Sequence, residues 1–352
     1  MTTIAAVRTA LPPHRYAQED LTEPIGDLCL PPGADRTVLR RLHASAGVCT
    51  RHLALPIERY AGLGDFGQSN DAWLAAGLDL GEEALTGALE EAGLTPADVD
   101  LLVCASITGI AAPSLDAQLA GRVGLRPDVK RLPVFGLGCV AGAAGLARLH
   151  DYLRGHPDDT AVLLTVELCS LTLQRRDDSR ANLVAGALFG DGAAALVARG
   201  SGSAPSDAAV PSVVATRSRL YPDTGQLLGW SVGASGFRVV IDAGVPGVVR
   251  DHFGRHLRAF LAEHGLTTDD IGTWVCHPGG PKVLAAVSDT LGLPANALDT
   301  AWDSLATVGN ISSVSVLHIL QNTRESRPEP GTWGLLLAMG PGFCSELVLL
   351  RW

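Results

Sequence analysis

The chain repeats one helix–turn–strand unit, and this repetition limits the folds open to it more than any other feature. Glu91–Cys104 runs Glu-Ala-Gly-Leu-Thr-Pro-Ala-Asp and then into an apolar strand, and Glu263–Cys276 runs Glu-His-Gly-Leu-Thr-Thr-Asp-Asp into another. A single matching unit is common by chance, but several elements keep the same order. The further pairs are Val123–Leu125 with Leu291–Leu293, Ala161–Thr165 with Trp333–Leu337, and Gly138-Cys139 with Gly309-Asn310. Such a repeat indicates an internal duplication.

The duplication predicts two α/β halves, 1–205 and 206–352, each with a mostly parallel sheet covered by helices. The divide falls in the Gly/Ser/Pro/Ala-rich stretch Gly200–Pro211, a composition typical of an exposed loop or linker. If a pseudo-two-fold axis relates the halves, equivalent helix starts face each other across it. Cys139 and Asn310 are then expected to share one pocket.

Composition excludes several classes of protein. The net charge is −10, and no Lys/Arg cluster is interleaved with aromatic residues, so we expect no nucleic-acid partner. The N-terminus lacks the pattern of a signal peptide, and no segment is apolar for long enough to span a membrane. We therefore expect a cytoplasmic protein that makes no use of a membrane.

The seven cysteines are scattered and show neither CxxC nor Cys/His ligand spacing, which predicts no disulfide framework and no metal site. Cys139 is singled out by its surroundings, an apolar strand before it and a helix of small residues after it. The dipole and free N–H groups of a helix start lower a thiol pKa, so Cys139 is a candidate nucleophile. The alternative is an ordinary buried cysteine acting as a small apolar side chain.

His277 and Asn310 are candidate partners of Cys139. His277 directly follows the duplicated strand, at the kind of strand end where open α/β sheets bind ligands, and Asn310 is the positional twin of Cys139. A histidine can hold the cysteine as a thiolate–imidazolium pair, and histidine and asparagine together can donate to a developing oxyanion. Taken singly, His277 is equally well a hydrogen-bonded turn residue and Asn310 a helix N-cap.

Together these residues resemble a known family. Gly138-Cys139, Leu188–Gly192, His277–Pro281, Gly309–Ser313 and Gly340–Gly342 are similar, in order and spacing, to the motifs of the type III polyketide synthases, the chalcone-synthase-like enzymes. The resemblance covers almost the whole chain. It implies the thiolase fold, in which two duplicated αβ halves form a layered αβαβα core.

The resemblance also implies an activity. Cys139 would take an acyl group from a starter acyl-CoA, and His277 and Asn310 would promote decarboxylation of malonyl-CoA. The enolate would then extend the chain by Claisen condensation, and the poly-β-keto product would cyclise to a phenolic compound or a pyrone. The family is homodimeric and uses CoA thioesters as substrates, with no metal or organic cofactor.

Further site residues are implied by the same resemblance. Phe189 and Phe237 match two gatekeeper phenylalanines between the CoA tunnel and the cavity, the second with a one-residue insertion. Arg41 matches a CoA-binding residue, whereas a usual lysine is replaced by Ser45. The positions that match cavity walls are Ile107, Thr108, Cys169, Thr172 and Ser312. Core packing is the alternative for both phenylalanines and for all five of these wall positions.

Two departures concern the cavity. A methionine that crosses the dimer in plant members is Ala112 here, and the C-terminal glycine-rich loop reads Ala338-Met-Gly-Pro-Gly342. Two other functions stay open: a ketoacyl synthase of fatty-acid initiation, against which His277-Pro-Gly-Gly-Pro281 and the acidic charge argue, and a non-catalytic thiolase-fold partner. The starter is undecided, so the product is a tetrahydroxynaphthalene, a phloroglucinol, an alkylpyrone or an alkylresorcinol.

Overall fold

A computed structural model describes residues 1–203 and 210–352. The predicted boundary between residues 205 and 206 lies outside the described residues. The helices are α1 (Gln18–Cys29), α2 (Thr37–Ser45), α3 (Phe66–Glu91), α4 (Leu115–Val123), α5 (Ala141–Gly155), α6 (Arg180–Leu188), α7 (Val245–Val248), α8 (Gly254–Glu263), α9 (Pro281–Leu291), α10 (Asp299–Val308) and α11 (Ser313–Glu325). In these two stretches no helix has the length and apolar character needed to cross a bilayer.

The strands are β1 (Thr2–Ala10), β2 (His14–Ala17), β3 (Thr50–Leu53), β4 (Leu101–Ala105), β5 (Lys130–Val134), β6 (Thr160–Leu168), β7 (Asp191–Arg199), β8 (Ser212–Leu220), β9 (Leu228–Gly233), β10 (Gly236–Ile241), β11 (Ile271–Cys276), β12 (Trp333–Gly340) and β13 (Cys344–Arg351). Nine of them form one hydrogen-bonded sheet in the order β5-β4-β6-β7-β1-β8-β13-β12-β11. The β2–β3 and β9–β10 pairs stand apart from it.

The sheet has the symmetry that the duplication predicts. The pairs β4–β6 and β11–β12 are parallel, while β6–β7 and β12–β13 are antiparallel. β1–β7 and β8–β13 are also antiparallel, and β1 pairs with β8 to join the halves. Each strand that the second half contributes to this sheet therefore has a counterpart in the first, and β5 is an extra edge strand. The predicted α/β architecture of two duplicated halves is confirmed.

The prediction of a mostly parallel sheet in each half is wrong, because only β4–β5, β4–β6 and β11–β12 are parallel and the other five pairs are antiparallel. The short connection between β12 and β13, for example, allows only an antiparallel hairpin.

The repeated sequence unit also repeats its hydrogen bonds. In each copy a threonine begins a short 3-10 turn, and its N–H donates to an aspartate Oδ2 three residues later. The distance is 2.7 Å for Thr95 to Asp98 and 2.7 Å for Thr267 to Asp270. This reciprocal capping fixes where each helix stops and the next strand starts.

The central layer is the helix pair α5 and α11. Along β6, Ala161 and Leu163 lie in the core that contains α5 and α11, whereas Val162 and Leu164 lie in the core that contains α3. Apolar residues on both faces are expected of a strand covered on both sides by helices. Buried side chains of α8 and α9 share a core with β11–β13. The result is the alternation of helical and sheet layers that the sequence predicts.

Gly142 lets the two central helices touch. A Cβ atom at Gly142 would lie 2.4 Å from the carbonyl oxygen of Ser313 and 2.5 Å from Val316 Cγ1. Only glycine permits such close backbone approach. Because Gly142 is three residues after Cys139 and Ser313 three after Asn310, this contact brings the two candidate residues into one region.

We expect Gly142→Ala to destabilise the protein by about 1–3 kcal/mol, because the added methyl group must displace backbone or Val316. The control is Gly121→Ala inside α4, where no atom lies within 4 Å of the new methyl group. That control should be neutral or stabilising by about 0.5–1 kcal/mol. Denaturant-induced unfolding measures both, and equal stability of the two variants would contradict the contact.

Candidate active site

Cys139 lies where the sequence predicts, at the start of a helix. It occupies a 3-10 turn, Gly138–Val140, that leads directly into α5. Gly138 has φ +57°, and a Cβ there would be 2.8 Å from the Pro341 ring. The positive φ and the close contact both require glycine. The turn is thus pressed against the loop after β12.

The expected decrease in the pKa of Cys139 is wrong. The residue keeps some exposed surface, yet burial of its thiol raises its pKa to about 12. The neighbouring Ser312 side chain works in the opposite direction, and the charge of Glu167 adds to the rise. Loss of water from around the sulfur is the largest of these effects and disfavours the charged thiolate. Cys139 is therefore a neutral thiol in the unliganded protein.

His277 follows β11, at the strand end where it was predicted. Its backbone N–H donates to the carbonyl oxygen of Leu337 in β12 at 2.9 Å, which ties the histidine to the neighbouring parallel strand. The side chain is 2% exposed, and among the described residues its Nδ1 atom has no hydrogen-bond partner. Burial lowers the pKa of His277 to about 3. The imidazole is consequently neutral and able to accept a proton.

Asn310 is held by its backbone on one side and its amide oxygen on the other. Its N–H donates to Leu188 O at 2.9 Å, and its carbonyl accepts from Gly190 N at 3.0 Å. Its side-chain Oδ1 accepts the Ser312 N–H at 2.8 Å. The N-cap of α11 is Ser312, so Asn310 does not serve as that cap. With Oδ1 occupied, the amide NH₂ is the group left to donate to a substrate.

Ser312 connects two of the three candidates, because its side chain neighbours the Cys139 thiol and its N–H binds Asn310. His277 approaches through β12, whose last residue, Gly340, packs against the turn containing Cys139: a Cβ on Gly340 would lie 2.9 Å from Val140 N. The structure thus places the cysteine turn between the segments that carry the histidine and the asparagine.

Glu167 is a site residue that sequence reasoning missed. It is fully buried near the end of β6. Its Oε2 accepts from Ile107 N and Thr108 Oγ1, both at 3.1 Å, and its Oε1 accepts from Ser313 Oγ at 2.6 Å and Ser312 Oγ at 3.3 Å. Burial raises the pKa of Glu167 to about 7, although each of these hydrogen bonds lowers it. The sequence feature that could have indicated Glu167 is a single carboxyl near the end of an otherwise apolar strand.

Three of the five predicted wall residues, Thr108, Cys169 and Thr172, line two separate spaces, whereas Ile107 and Ser312 line neither. Thr108, Thr172 and Phe237 line a cavity of about 1090 Å³ between the end of α1, the start of α3 and the β9–β10 hairpin. Cys169 and Thr172 also line a small pocket of about 30 Å³ together with Phe189. Thr172 therefore lies between the two spaces.

Ile107 lines neither of these spaces. Its Cδ1 would lie 3.1 Å from a Cβ on Gly138, so the side chain supports the turn that contains Cys139. Its carbonyl accepts the Trp230 indole N–H at 2.9 Å. Ile107 is therefore anchored at both ends of its peptide, by Glu167 and by Trp230.

The structure does not bring the two predicted gatekeepers into one pocket. Phe237 packs against the rings of Phe66, Phe135 and Trp230, with centroid distances of 5.2, 5.9 and 6.1 Å. Val239, on the same face of β10 two residues later, lines the small pocket beside Phe189. The hairpin turn fixes this register, which a one-residue insertion had left open in the sequence.

Arg41 is exposed on α2 and makes no ion pair within the described parts of the chain. Ser45, at the position of the missing lysine, donates its hydroxyl to Arg41 O at 2.8 Å and so closes the end of α2.

The two departures that concern the cavity lie in different environments. Ala112 is exposed before Pro113, and Met339 is buried in β12. The Gly340–Gly342 loop backs the cysteine turn through Pro341, as described above.

Comparisons with known proteins identify the family of this chain. Residues 1–203 match the family model for chalcone and stilbene synthases, N-terminal domain, and residues 212–352 match the corresponding C-terminal domain. A 1,3,6,8-tetrahydroxynaphthalene synthase from Streptomyces peucetius subsp. caesius is 74% identical over 352 residues, which covers 100% of this chain and 93% of that protein. A phloroglucinol synthase from Pseudomonas fluorescens is 29% identical over 100% of this chain and 99% of its own length.

The fold has solved counterparts. The crystal structure of 1,3,6,8-tetrahydroxynaphthalene synthase from Streptomyces coelicolor, a bacterial type III polyketide synthase, superposes with a TM-score of 0.92 at 29% identity and covers 99% of both chains. The thiolase fold is confirmed, and neither a ketoacyl synthase of fatty-acid initiation nor a non-catalytic partner finds support among these relatives. With both halves matched and the cysteine, histidine and asparagine motifs in place, the chain belongs to the chalcone and stilbene synthase family and is a type III polyketide synthase.

Proposed function

We propose that this enzyme makes 1,3,6,8-tetrahydroxynaphthalene from malonyl-CoA, used both as starter and as extender. The observation that best supports this proposal is the 74% identity, over the whole chain, to a 1,3,6,8-tetrahydroxynaphthalene synthase. The product has ten ring carbons, which five malonyl units supply after each loses carbon dioxide. Five malonyl-CoA then give one naphthalene, five CoA, five carbon dioxide and one water.

For acyl transfer we propose Cys139 as the nucleophile and His277 as its base. The high thiol pKa and the low imidazole pKa describe a neutral pair before substrate binds. The thiol proton moves to the imidazole as sulfur attacks the thioester carbonyl, and CoA leaves as the thiol after taking a proton. The sequence suggests that a thiolate–imidazolium pair exists before substrate binds. In this proposal the pair forms only during the attack, when the proton moves from sulfur to the imidazole.

For decarboxylation we propose Asn310 and His277 as the donors to the malonyl thioester oxygen. The Asn310 NH₂ is free because its Oδ1 binds Ser312 N–H. As the carboxylate leaves as carbon dioxide, the electron pair forms an enolate whose oxygen takes up negative charge. Fixed donors in a site without bulk water stabilise that charge most effectively. The enolate carbon then attacks the Cys139 thioester and releases the cysteine sulfur.

The chain grows in the cavity of about 1090 Å³ lined by Thr108, Thr172 and Phe237. Its lining includes hydroxyl groups and apolar rings, which suit a chain of alternating carbonyl and methylene groups, beside charged side chains such as Arg36 and Arg175. Cys139, His277 and Asn310 do not line this cavity, so the growing chain would extend into it from Cys139.

CoA binding is a separate requirement, because enzymes of this family act on CoA thioesters without a further cofactor. We propose Arg41 as a contact for the CoA phosphates, because its charge is exposed and unpaired within the described parts of the chain.

We further propose a homodimer that uses the edge strand β5. Three large apolar side chains are exposed at this edge: Ile110 (48%), Leu132 (46%) and Phe135 (52%). An unpaired strand edge with apolar side chains is the kind of surface that a second copy covers.

We propose that the enzyme works in the cytoplasm. Its seven free cysteines suit a reducing compartment.

Incubation with malonyl-CoA alone should give a product with the mass of tetrahydroxynaphthalene. Cys139→Ala should abolish product while leaving the fold intact, because it removes the nucleophile and little volume. Cys139→Gln should still convert malonyl-CoA to acetyl-CoA, because His277 and Asn310 remain. Mass spectrometry of products and of the acylated protein measures all three.

Product formation by Cys139→Ala would contradict the assigned nucleophile. No decarboxylation by a folded Cys139→Gln protein would contradict the roles of His277 and Asn310. Product formed only when another acyl-CoA is added would contradict malonyl-CoA as the starter.

Leu132→Glu should weaken the dimer, because it places a charge at the centre of the exposed apolar edge. Light scattering after gel filtration measures the mass, and we expect a shift toward the monomer at micromolar concentration. Leu220→Glu, at a site 67% exposed on β8, is the matched control and should leave the mass unchanged. An unchanged mass in both variants would contradict this interface.

Glu167 predicts a pH-dependent difference in stability. Its pKa of about 7 in the folded protein exceeds the ordinary value, so the folded state holds a proton that the unfolded state loses above about pH 4.5. The wild type therefore loses stability from this group as pH rises from about 4.5 to 7, by about 2–3 kcal/mol. Glu167→Gln cannot titrate, so its unfolding free energy should rise relative to the wild type over that range. A pH-independent difference would contradict the raised pKa.

A further inference from the structure

Arg51 is a buried cation that has no role in the mechanism proposed above. It lies in β3 and is 2% exposed. Burial lowers the pKa of Arg51 to about 10, while the nearby Asp191 works in the opposite direction, so the group stays charged at neutral pH. Taking a guanidinium out of water costs several kcal/mol unless its contacts compensate. A methionine or leucine would fill the same space without that cost.

Two arms of the guanidinium bind the segment that carries Phe189. Nη1 donates to Phe189 O at 2.6 Å. Nε donates to Gln18 Oε1 at 3.0 Å, and Gln18 Nε2 in turn donates to Ala187 O at 2.7 Å. Arg51 and Gln18 therefore hold two carbonyl oxygens at the end of α6. Both contacts fix backbone that would otherwise be free to shift.

The same segment holds Asn310. Leu188 O accepts the Asn310 N–H, and Gly190 N donates to Asn310 O, at 2.9 and 3.0 Å. The Arg51 Cβ backs this bridge directly. It would lie 3.5 Å from a Cβ on Gly190 and 3.7 Å from one on Gly309. Any displacement of residues 188–190 is thereby passed to the backbone of Asn310.

The third nitrogen of the guanidinium, Nη2, makes no such contact with any described residue. Among the described residues, Nη2 is buried without a hydrogen-bond partner, and Arg51 lines the small pocket that also contains Phe189, Cys169 and Thr172. Among the described residues no hydrogen bond or ion pair joins Arg51 to Asp191, whose carboxylate accepts from Ala54 N at 2.6 Å and Ser170 N at 2.8 Å. Arg51 thus gives its directed hydrogen bonds to Phe189 and Gln18.

We propose that Arg51 is a positioning residue that fixes Phe189 and Asn310 together, so that the asparagine amide is aligned for decarboxylation. This inference rests on the proposed role of Asn310. Arg51 acts through the backbone of residues 188–190 and not by contact with the reacting atoms. Its removal should therefore affect decarboxylation while leaving the reactivity of Cys139 unchanged.

The test compares Arg51→Met and Arg51→Lys with Arg199→Met. Arg199 is a matched control because it is partly buried, donates to a backbone carbonyl (Ala92 O, 2.9 Å) and has an unpartnered buried nitrogen, yet it lies at the far end of β7. The readouts are kcat and KM for malonyl-CoA decarboxylation, the rate of Cys139 alkylation by iodoacetamide, and the thermal midpoint.

For Arg51→Met we expect kcat to fall about ten- to a hundredfold, because small misplacements of a catalytic group are costly. KM and the alkylation rate should stay near wild type. Arg51→Lys should recover part of kcat, since one ammonium can bind Phe189 O but not Gln18 as well. Arg199→Met should keep the wild-type kcat even if its thermal midpoint falls.

Wild-type decarboxylation by folded Arg51→Met would overturn the inference, and so would an equal loss in Arg199→Met or a parallel loss of alkylation. If Arg51→Met does not fold, Arg51→Lys decides by the same criteria. Failure of the wild type itself to decarboxylate malonyl-CoA would overturn the proposed function instead, so the two failures are distinguishable.

Discussion

The contact between the starts of α5 and α11 is the constraint on which the site depends. Gly142 has no side chain, so its backbone meets the Ser313 carbonyl directly, and each of these two residues is three residues beyond a candidate catalytic residue. The duplication supplies two such helix starts, and the glycine allows them to meet. Neither half could form the site alone, because one contributes the thiol and the other the histidine and amide.

Glycine plays an equivalent part just before each catalytic residue. Gly138 and Gly309 both have positive φ, +57° and +73°. Added Cβ atoms would lie 2.8 Å from Pro341 and 2.9 Å from Leu188 O, respectively. The surrounding backbone differs, since Gly138 opens a 3-10 turn and Gly309 is the C-cap of α10. What the two positions share is a positive φ and a close contact that require glycine, followed by cysteine in one half and asparagine in the other.

Much of this was accessible from sequence, because local patterns specify local structure. The strand before Cys104, its twin before Cys276 and the helix after Cys139 all follow from apolar runs and capping residues. The direction of the Cys139 pKa was not accessible, since it depends on how much water the folded protein removes from the thiol. Glu167 was missed for a related reason: its four donors come from two segments, residues 107–108 and 312–313, that are far from it and from each other in sequence. Val239 was missed because strand register in the β9–β10 hairpin decides which side chain meets Phe189.

Several ionisable side chains are buried around the site, behind the residues that are proposed to react. Arg51 and Asp191 lie below the Phe189 segment, and Glu167 lies below Ser312 and Ser313, whereas burial holds Cys139 and His277 in their neutral forms. Buried ionisable groups thus hold the backbone segments around the site, and Cys139 and His277, which are proposed to react, are uncharged until substrate arrives. In such a site the largest change in charge occurs on the substrate itself, when malonyl-CoA loses its carboxylate and an enolate forms. Donors already fixed by the surrounding hydrogen bonds need little rearrangement to meet that charge. The cost of burying Arg51, Asp191 and Glu167 is then borne in folding, before any turnover begins.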